Sequence, residues 1–268
     1  MTNQKFITRE EIATLAPSVM SQVTSDTVSS KYVHIPTSQV IDDMEKLGWN
    51  VVNAKQSKVR SSGRSLTTRH IVEFGNDNVT INGKDGDTVF PRIVMMNSHD
   101  GKSSFQFRVG LFRLVCSNGL IIADQEFANM NIRHMGYSFE DLRVTINTVV
   151  EKLPSKVDMM NQMKSVELTK TQKEEFASKA LSLRFDLKKN EFDLDEVLTP
   201  LRDADEGSDL WKVFNVLQEK VIKGTAIEYG IMSPNKVKVR KVQPIKNFQK
   251  DIQLNQDLFN LAKDLLHA

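Results

Sequence analysis

One cysteine, Cys116, stands in 268 residues, so no intrachain disulfide can form, and no Cys/His cluster has the spacing of a zinc site. No apolar run approaches the roughly 20 residues a bilayer-crossing helix needs. The start MTNQKFITREE lacks the basic and apolar regions of a secretory signal. A Gly-rich phosphate loop is missing as well, because the glycines fall at two-residue turns rather than between a strand and a helix. Charge of one sign is also missing: 36 Lys and Arg meet 34 Asp and Glu, a net of +2, so attraction to polyanions must come from local clusters. These absences point to a soluble protein of a reducing compartment, read as the host-cell cytoplasm, with no membrane partner, metal or other cofactor. What is present, 40% hydrophobic and 26% charged residues, is an ordinary globular balance able to bury a large core.

The pattern along the chain predicts an α+β fold: short N-terminal helices, an antiparallel β-meander of about five strands, and a mostly helical C-terminal half. Thr8-x-x-Glu11 is a capping box opening a short helix that breaks near Pro17. In HIPTSQVIDDMEKLGW, Thr37 is placed to cap a helix, Val40, Ile41, Met44 and Leu47 share one face, and Gly48 is placed to end it in the left-handed conformation. From Val51 the period becomes two, with Asn82-Gly83, Asp85-Gly86, Asp100-Gly101 and Asn118-Gly119 supplying hairpin turns. In SFQFRVGL, Phe105, Phe107, Val109 and Leu111 alternate with Gln106, Arg108 and Gly110, which predicts one buried face and one wet face or a face over something polar. Helical stripes return at Ser138-x-x-Asp141, Thr169-x-x-Gln172, Ser208 to Gly224 and Leu254 to Leu265. The expected division is an α+β core over 1–135 and a helical region packing on the sheet over 136–268, with a basic extended segment near 234–246.

Residues able to carry chemistry are scattered. Cys116 follows Leu114 and Val115 and reads as a small buried residue at a strand end. As a nucleophile it would need His99 or His134 brought to it as base. His99-Asp100 reads as a turn, and His34, His70, His134 and His267 are each isolated in sequence. No catalytic set and no metal set emerges. The basic residues do cluster: Lys55, Lys58, Arg60, Arg64 and Arg69, with His70, run without an acid. Lys58 and Arg60 are expected on one face of a strand, and Arg108 and Arg113 could extend a positive stripe across the sheet. A second cluster, Lys236, Lys238, Arg240 and Lys241 with Lys246, interleaves with valines and suits an edge strand or a phosphate-contacting arm. A solvated hairpin face and a track for nucleic-acid phosphates both fit the first cluster. On the second reading Tyr32, Trp49 or Phe112 would supply stacking rings.

Three segments, KYVHIPTSQVIDDMEKLGW, NSHDGKSSFQFRVGLFRLVCSNGLI and IQLNQDLFNLAKDL, resemble the phage- and plasmid-like proteins that carry domain of unknown function 932. That resemblance runs from about Thr8 to the end and implies a mobile-element origin. It transfers no catalytic role onto His99, Asp100 or Cys116. The order of elements, a helix ending in Gly-Trp, a basic meander and then helices, is also similar to that of phage single-strand annealing proteins, a likeness of fold alone. Together these readings give a non-enzymatic protein that binds single-stranded DNA during annealing or recombination of a phage or other mobile element, with homo-oligomerisation expected. Two alternatives stay open: an interaction protein that binds a host defence or replication factor, and a Cys/His-dependent enzyme.

Overall fold

The computed structural model describes residues 4–30, 32–59, 62–79, 81–82, 88–103, 105–113, 119–120, 137–233, 236–245 and 247–267. These fall into two compact units, one within Met1–Leu114 and Ala123–Pro154, the other within Val115–Ile122 and Ser155–Ala268. The architecture is α+β, with two antiparallel sheets. Among the described residues no helix is long and apolar enough to cross a membrane.

The first unit opens as the sequence predicts. Helix α1 (Arg9–Leu15) starts with the capping box, in which the Glu11 amide donates to the Thr8 hydroxyl and the Thr8 amide to the Glu11 carboxylate. Pro17 begins α2 (Pro17–Met20), where its missing N–H costs nothing. Helix α3 (Thr37–Lys46) buries Val40, Ile41 and Met44, and Gly48 follows with φ +82°. One detail differs. Thr37 is the first helical residue rather than the cap, a place Pro36 takes, because the Thr37 hydroxyl is committed to His70.

The first sheet is built of β1 (Asn50–Gln56), β2 (His70–Gly75), β4 (Thr88–Asn97) and β5 (Gln106–Arg113) in that order, with the two-residue β3 (Ile81–Asn82) alongside β4. In register, Ala54, Val72, Met95 and Phe107 line one row, and Phe74 and Ile93 the next. These side chains are buried with Val40, Ile41 and Met44 of α3, Ile12 of α1 and Leu142 and Ile146 of α4 (Phe139–Ser165) in one apolar cluster. On β5 the face expected to be wet or over something polar carries Gln106, which is half-buried, and Arg108, whose side chain is not described; on β2 and β4 that face holds buried apolar residues. Ile71, Val94 and Met96 lie on it and are buried too, so β2 and β4 are covered on both sides. A second correction concerns the basic segment: β1 ends at Gln56, so Lys58 sits on the 57–69 connection, which holds a 3₁₀ turn at Ser62–Arg64, and not on a strand.

The second unit holds Val115–Ile122 and takes up the chain again after Pro154, inside α4. In the second unit Gly119–Leu120 is a two-residue strand, β6. Helix α5 (Lys170–Ser182) carries the Thr169–Gln172 capping box. Strand β7 (Asn190–Glu191) and α6 (Leu194–Leu198) lead to α7 (Leu210–Leu217), capped by Asp209 rather than Ser208, since the Asp209 carboxylate accepts the Lys212 amide at 2.9 Å. Helix α7 continues as a π-helical turn (Gln218–Lys223) that stops at Gly224, φ +74°. Strands β8 (Glu228–Ser233) and β9 (Lys236–Lys241) complete a three-stranded sheet of order β7-β8-β9 before α8 (Phe248–Leu266). Trp211, Phe214 and Phe259 close the core, with Phe214 stacked on Trp211 at 5.8 Å and edge-on to Phe259 at 6.0 Å.

Candidate nucleic-acid interface

Histidines that are isolated in sequence meet in space in the first unit. His70 opens β2 and pairs in register with Asn97, the last residue of β4. His99 follows two residues later, and His34 enters α3, so three rings gather at one end of the sheet: His34 and His99 at 4.6 Å, His70 and His99 at 5.0 Å. Backbone carbonyls fix the proton positions, because a carbonyl can only accept. His70 Nδ1 lies 3.0 Å from the Thr68 carbonyl and therefore donates, which leaves Nε2 to accept the Thr37 hydroxyl at 2.8 Å. Thr37 in turn accepts the Asn97 amide at 3.0 Å. His99 Nε2 donates to the Ser18 carbonyl at 3.0 Å, so its Nδ1 accepts from His34 Nε2 at 3.1 Å. His70 and His99 are both 0% exposed. Burial first, then the neighbouring His99, pushes the His70 pKa down to about 3, against the bond to Thr68. Burial thus holds the His70 ring neutral, and His99 has neither nitrogen to spare as a general base. Asp100 is the turn residue the sequence suggests, accepting the Ser98 hydroxyl at 2.7 Å and the Lys102 amide at 3.0 Å. Among the described residues no group of His, Cys, Asp and Glu could hold a metal ion.

This polar core fastens the basic connection above it. The His99 amide donates to the Thr67 carbonyl at 3.0 Å, and the Ser57 amide to the Arg69 carbonyl at 2.8 Å. The Gln56 side-chain amide reaches Ser65, while its oxygen accepts the Ser18 amide at 2.8 Å. Arg69 spends its Nε on the Ser103 hydroxyl at 2.7 Å. A connection of this length is ordinarily mobile. Here the two ends are tied to each other, Ser65 is tied to Gln56, and Thr67 and Thr68 are tied to the buried His99 and His70.

The expected binding residues sort by what they touch. Lys58 and Arg64 are exposed, and neither has an acidic partner among the described residues. Lys55 is exposed but lies 3.6 Å from Glu73, which offsets its charge. Lys102, which the sequence reading passed over, is exposed on the turn next to Ser103, the residue Arg69 contacts. Arg60 lies outside the described residues, as do Cys116 and His134; of Arg108 and Arg113 the backbone is described, paired with Val94 and Val89, and the side chains are not. In the second unit Lys238, Arg240 and Lys241 are exposed on β9, and Lys241 lies 3.9 Å from Glu228; the side chain of Lys236 and all of Lys246 lie outside the described set. Of the expected stacking rings, Trp49 is 1% exposed and belongs to the core, which removes it as a base contact. Tyr32 is half-buried and donates its hydroxyl to the Ser98 carbonyl at 3.2 Å; burial, then Asp100, raises its pKa and keeps the donor proton in place. The side chain of Phe112 is not among those described.

A family model described as Domain of unknown function (DUF932) matches residues 25–259, a span that includes His34, His70 and His99, the basic connection and β9. The chain is similar to the UPF0380 protein YafZ of Escherichia coli (strain K12), 31% identical over 261 residues, which cover 97% of this chain and 92% of that protein. It is also similar to the UPF0380 protein YfjQ of the same organism, 30% identical over 264 residues, again 97% and 92% of the two chains. No solved structure matches it significantly.

Proposed function

The chain belongs to the DUF932 family, and from that premise we propose that it is a non-enzymatic protein that binds single-stranded DNA, with the 57–69 connection as a contact surface. One observation carries the reading: Lys58 and Arg64 stand exposed, without acidic partners among the described residues, on a connection whose base is fastened to the buried histidine network. Fixing the connection in advance lowers the entropy lost on binding. Positive side chains so placed contact backbone phosphates, which carry no sequence information, so binding should be insensitive to sequence. The likeness in element order to annealing proteins suggests the setting, annealing or recombination of a mobile element.

The test is the salt dependence of binding to a labelled oligonucleotide. Each phosphate neutralised on a single strand releases about 0.7 of a counterion. Replacing Lys58, Arg60 and Arg64 together with Ala should flatten the slope of log K against log salt by about two units. Thermal melting should be nearly unchanged, since exposed charges contribute little to stability. An unchanged slope in the folded variant removes the connection from the interface, and a wild type that binds no oligonucleotide at low salt ends the proposal. A protein partner is the second reading. Val59 and Leu66, 36% and 43% exposed on the same connection, favour it, and such binding would vary little with salt.

A further inference from the structure

The register of the second sheet sets aromatic and basic side chains on one face. Tyr229 of β8 lies opposite Arg240 of β9, and Ile231 opposite Lys238. Asn190 of β7 lies opposite Ile231 on the other side. Directly paired residues share a face, so Asn190, Ile231 and Lys238 form one row across three strands. Phe192, two residues beyond Asn190, extends the next row, and its ring stacks on Tyr229 at 5.4 Å with an interplanar angle of 18°. The row reads Phe192, Tyr229, Arg240. Phe185 tilts against both rings, 4.9 Å from Phe192 and 5.3 Å from Tyr229. Arg184 lies over the Phe185 ring at 5.1 Å and is held there by donating to the Val221 carbonyl at 2.6 Å.

All three rings are only half-buried, and Lys238 and Arg240 beside them are exposed with no acidic partner among the described residues. Basic residues on an edge strand have an ordinary use, discouraging sheet-to-sheet aggregation. That use needs charge alone. It does not account for three aromatic side chains, each able to bury some 150–250 Å², left part-open in the row that ends on Arg240. Part-exposed rings beside exposed cations are the two components of a single-strand site: the bases stack, and the phosphates meet the charges.

We propose that Phe185, Phe192 and Tyr229, with Arg240 and Lys238, form a base-stacking site for single-stranded nucleic acid on the second sheet. The inference rests on the single-strand-binding reading above and adds a contact of a different kind, since stacking requires bases and the 57–69 connection requires only phosphates. A duplex keeps its base faces within its own stack, so the site favours single strands.

The experiment titrates the full chain with a labelled thymidine oligonucleotide and with an abasic deoxyribose-phosphate strand of the same length. The wild type should prefer the strand with bases. Tyr229→Leu, which keeps apolar bulk and removes the ring, should weaken binding of that strand by roughly tenfold, within the range for losing one stacked base. Binding of the abasic strand should not change, and Tyr229→Phe should restore the preference. Arg240→Ala should weaken both strands. If Tyr229→Leu bound the two strands as the wild type does, or if the wild type showed no preference for bases, the stacking site would be overturned while the phosphate-binding proposal stood. A wild type that bound neither strand would overturn both. Binding of polyglutamate as tight as that of the oligonucleotide and unaffected by Tyr229→Leu would overturn the site in favour of an acidic partner.

Discussion

Taking the protein from pH 7 to pH 4 is expected to cost the first unit about 3 kcal/mol through His70 alone. The sign follows from which state takes the proton first. In the unfolded chain His70 titrates near its ordinary value of about 6.5, whereas in the fold it is held to about 3, chiefly by burial. Below pH 6.5 the unfolded state therefore gains a proton that the folded state refuses. Stability is complete above that pH and falls by about 1.4 kcal/mol per unit until pH nears 3. The geometry agrees with the direction, since Nδ1 already donates to Thr68 and Nε2 is occupied by the Thr37 hydroxyl. Among the described residues no carboxylate acts on His70 to offset this loss. Carboxylates elsewhere also titrate in this window, so the measurement is a difference. Urea unfolding of wild type and His70→Gln at pH 7 and pH 4 should show the variant weaker at pH 7, with a decline about 3 kcal/mol smaller. Trp211→Phe as the common background leaves Trp49, in the first unit, as the fluorescent reporter of the chain's two tryptophans. Parallel declines would mean that His70 is not held neutral.

The difference between what was legible and what was not lies in the range of the interactions. The capping boxes at Thr8 and Thr169 and the stops at Gly48 and Gly224 join residues within one turn, and the local sequence determines them. The alternation around Phe107 likewise belongs to a single strand. His34, His70 and His99 come together only through the pairing of β2 with β4 and the docking of α3, which no local pattern encodes. A faint signal did exist. Gln56 closes β1, His70 opens β2 and Asn97 closes β4, so in an antiparallel meander all three polar residues fall at the same end of the sheet. The overextended β1 came from reading period two beyond Gln56, where Ser57 turns instead to the Arg69 carbonyl. The row Phe192, Tyr229, Arg240 depends on β7, a two-residue strand too short to show any period. In both units the residues proposed to bind are set in place by long-range register, which no local pattern of caps and stripes encodes.

Replacing Phe107 with Ala should destabilise the first unit by about 3 to 5 kcal/mol, the range for deleting a buried aromatic ring and leaving part of its volume empty. Phe107 is 2% exposed in the row with Ala54, Val72 and Met95, on the face covered by α3. Its ring meets that of Phe105 edge-to-face at 5.0 Å and 87°, and Phe105 in turn faces Tyr137 at 6.2 Å. The Tyr137 hydroxyl donates to the buried Asp43 of α3 at 2.7 Å, so the rings are packed against a group that cannot move to refill the space. Phe107→Leu should cost less, since it keeps most of the apolar volume. The pair with Phe105 should show a coupling of about 0.5 to 1.5 kcal/mol in a double-mutant cycle. Against a total of about 5 to 15 kcal/mol for a domain, the Ala variant should be close to unfolding at pH 7 and unfolded at pH 4, where the loss through His70 adds to it. Val144→Ala, at a position 54% exposed on α4, is the control and should lie within about 0.5 kcal/mol of the wild type. A loss under about 1 kcal/mol for Phe107→Ala, far below the buried-ring range, would place the ring outside a closed core. The first sheet would then be too loosely packed to hold the histidine network, and the basic connection fastened to it, in a fixed position.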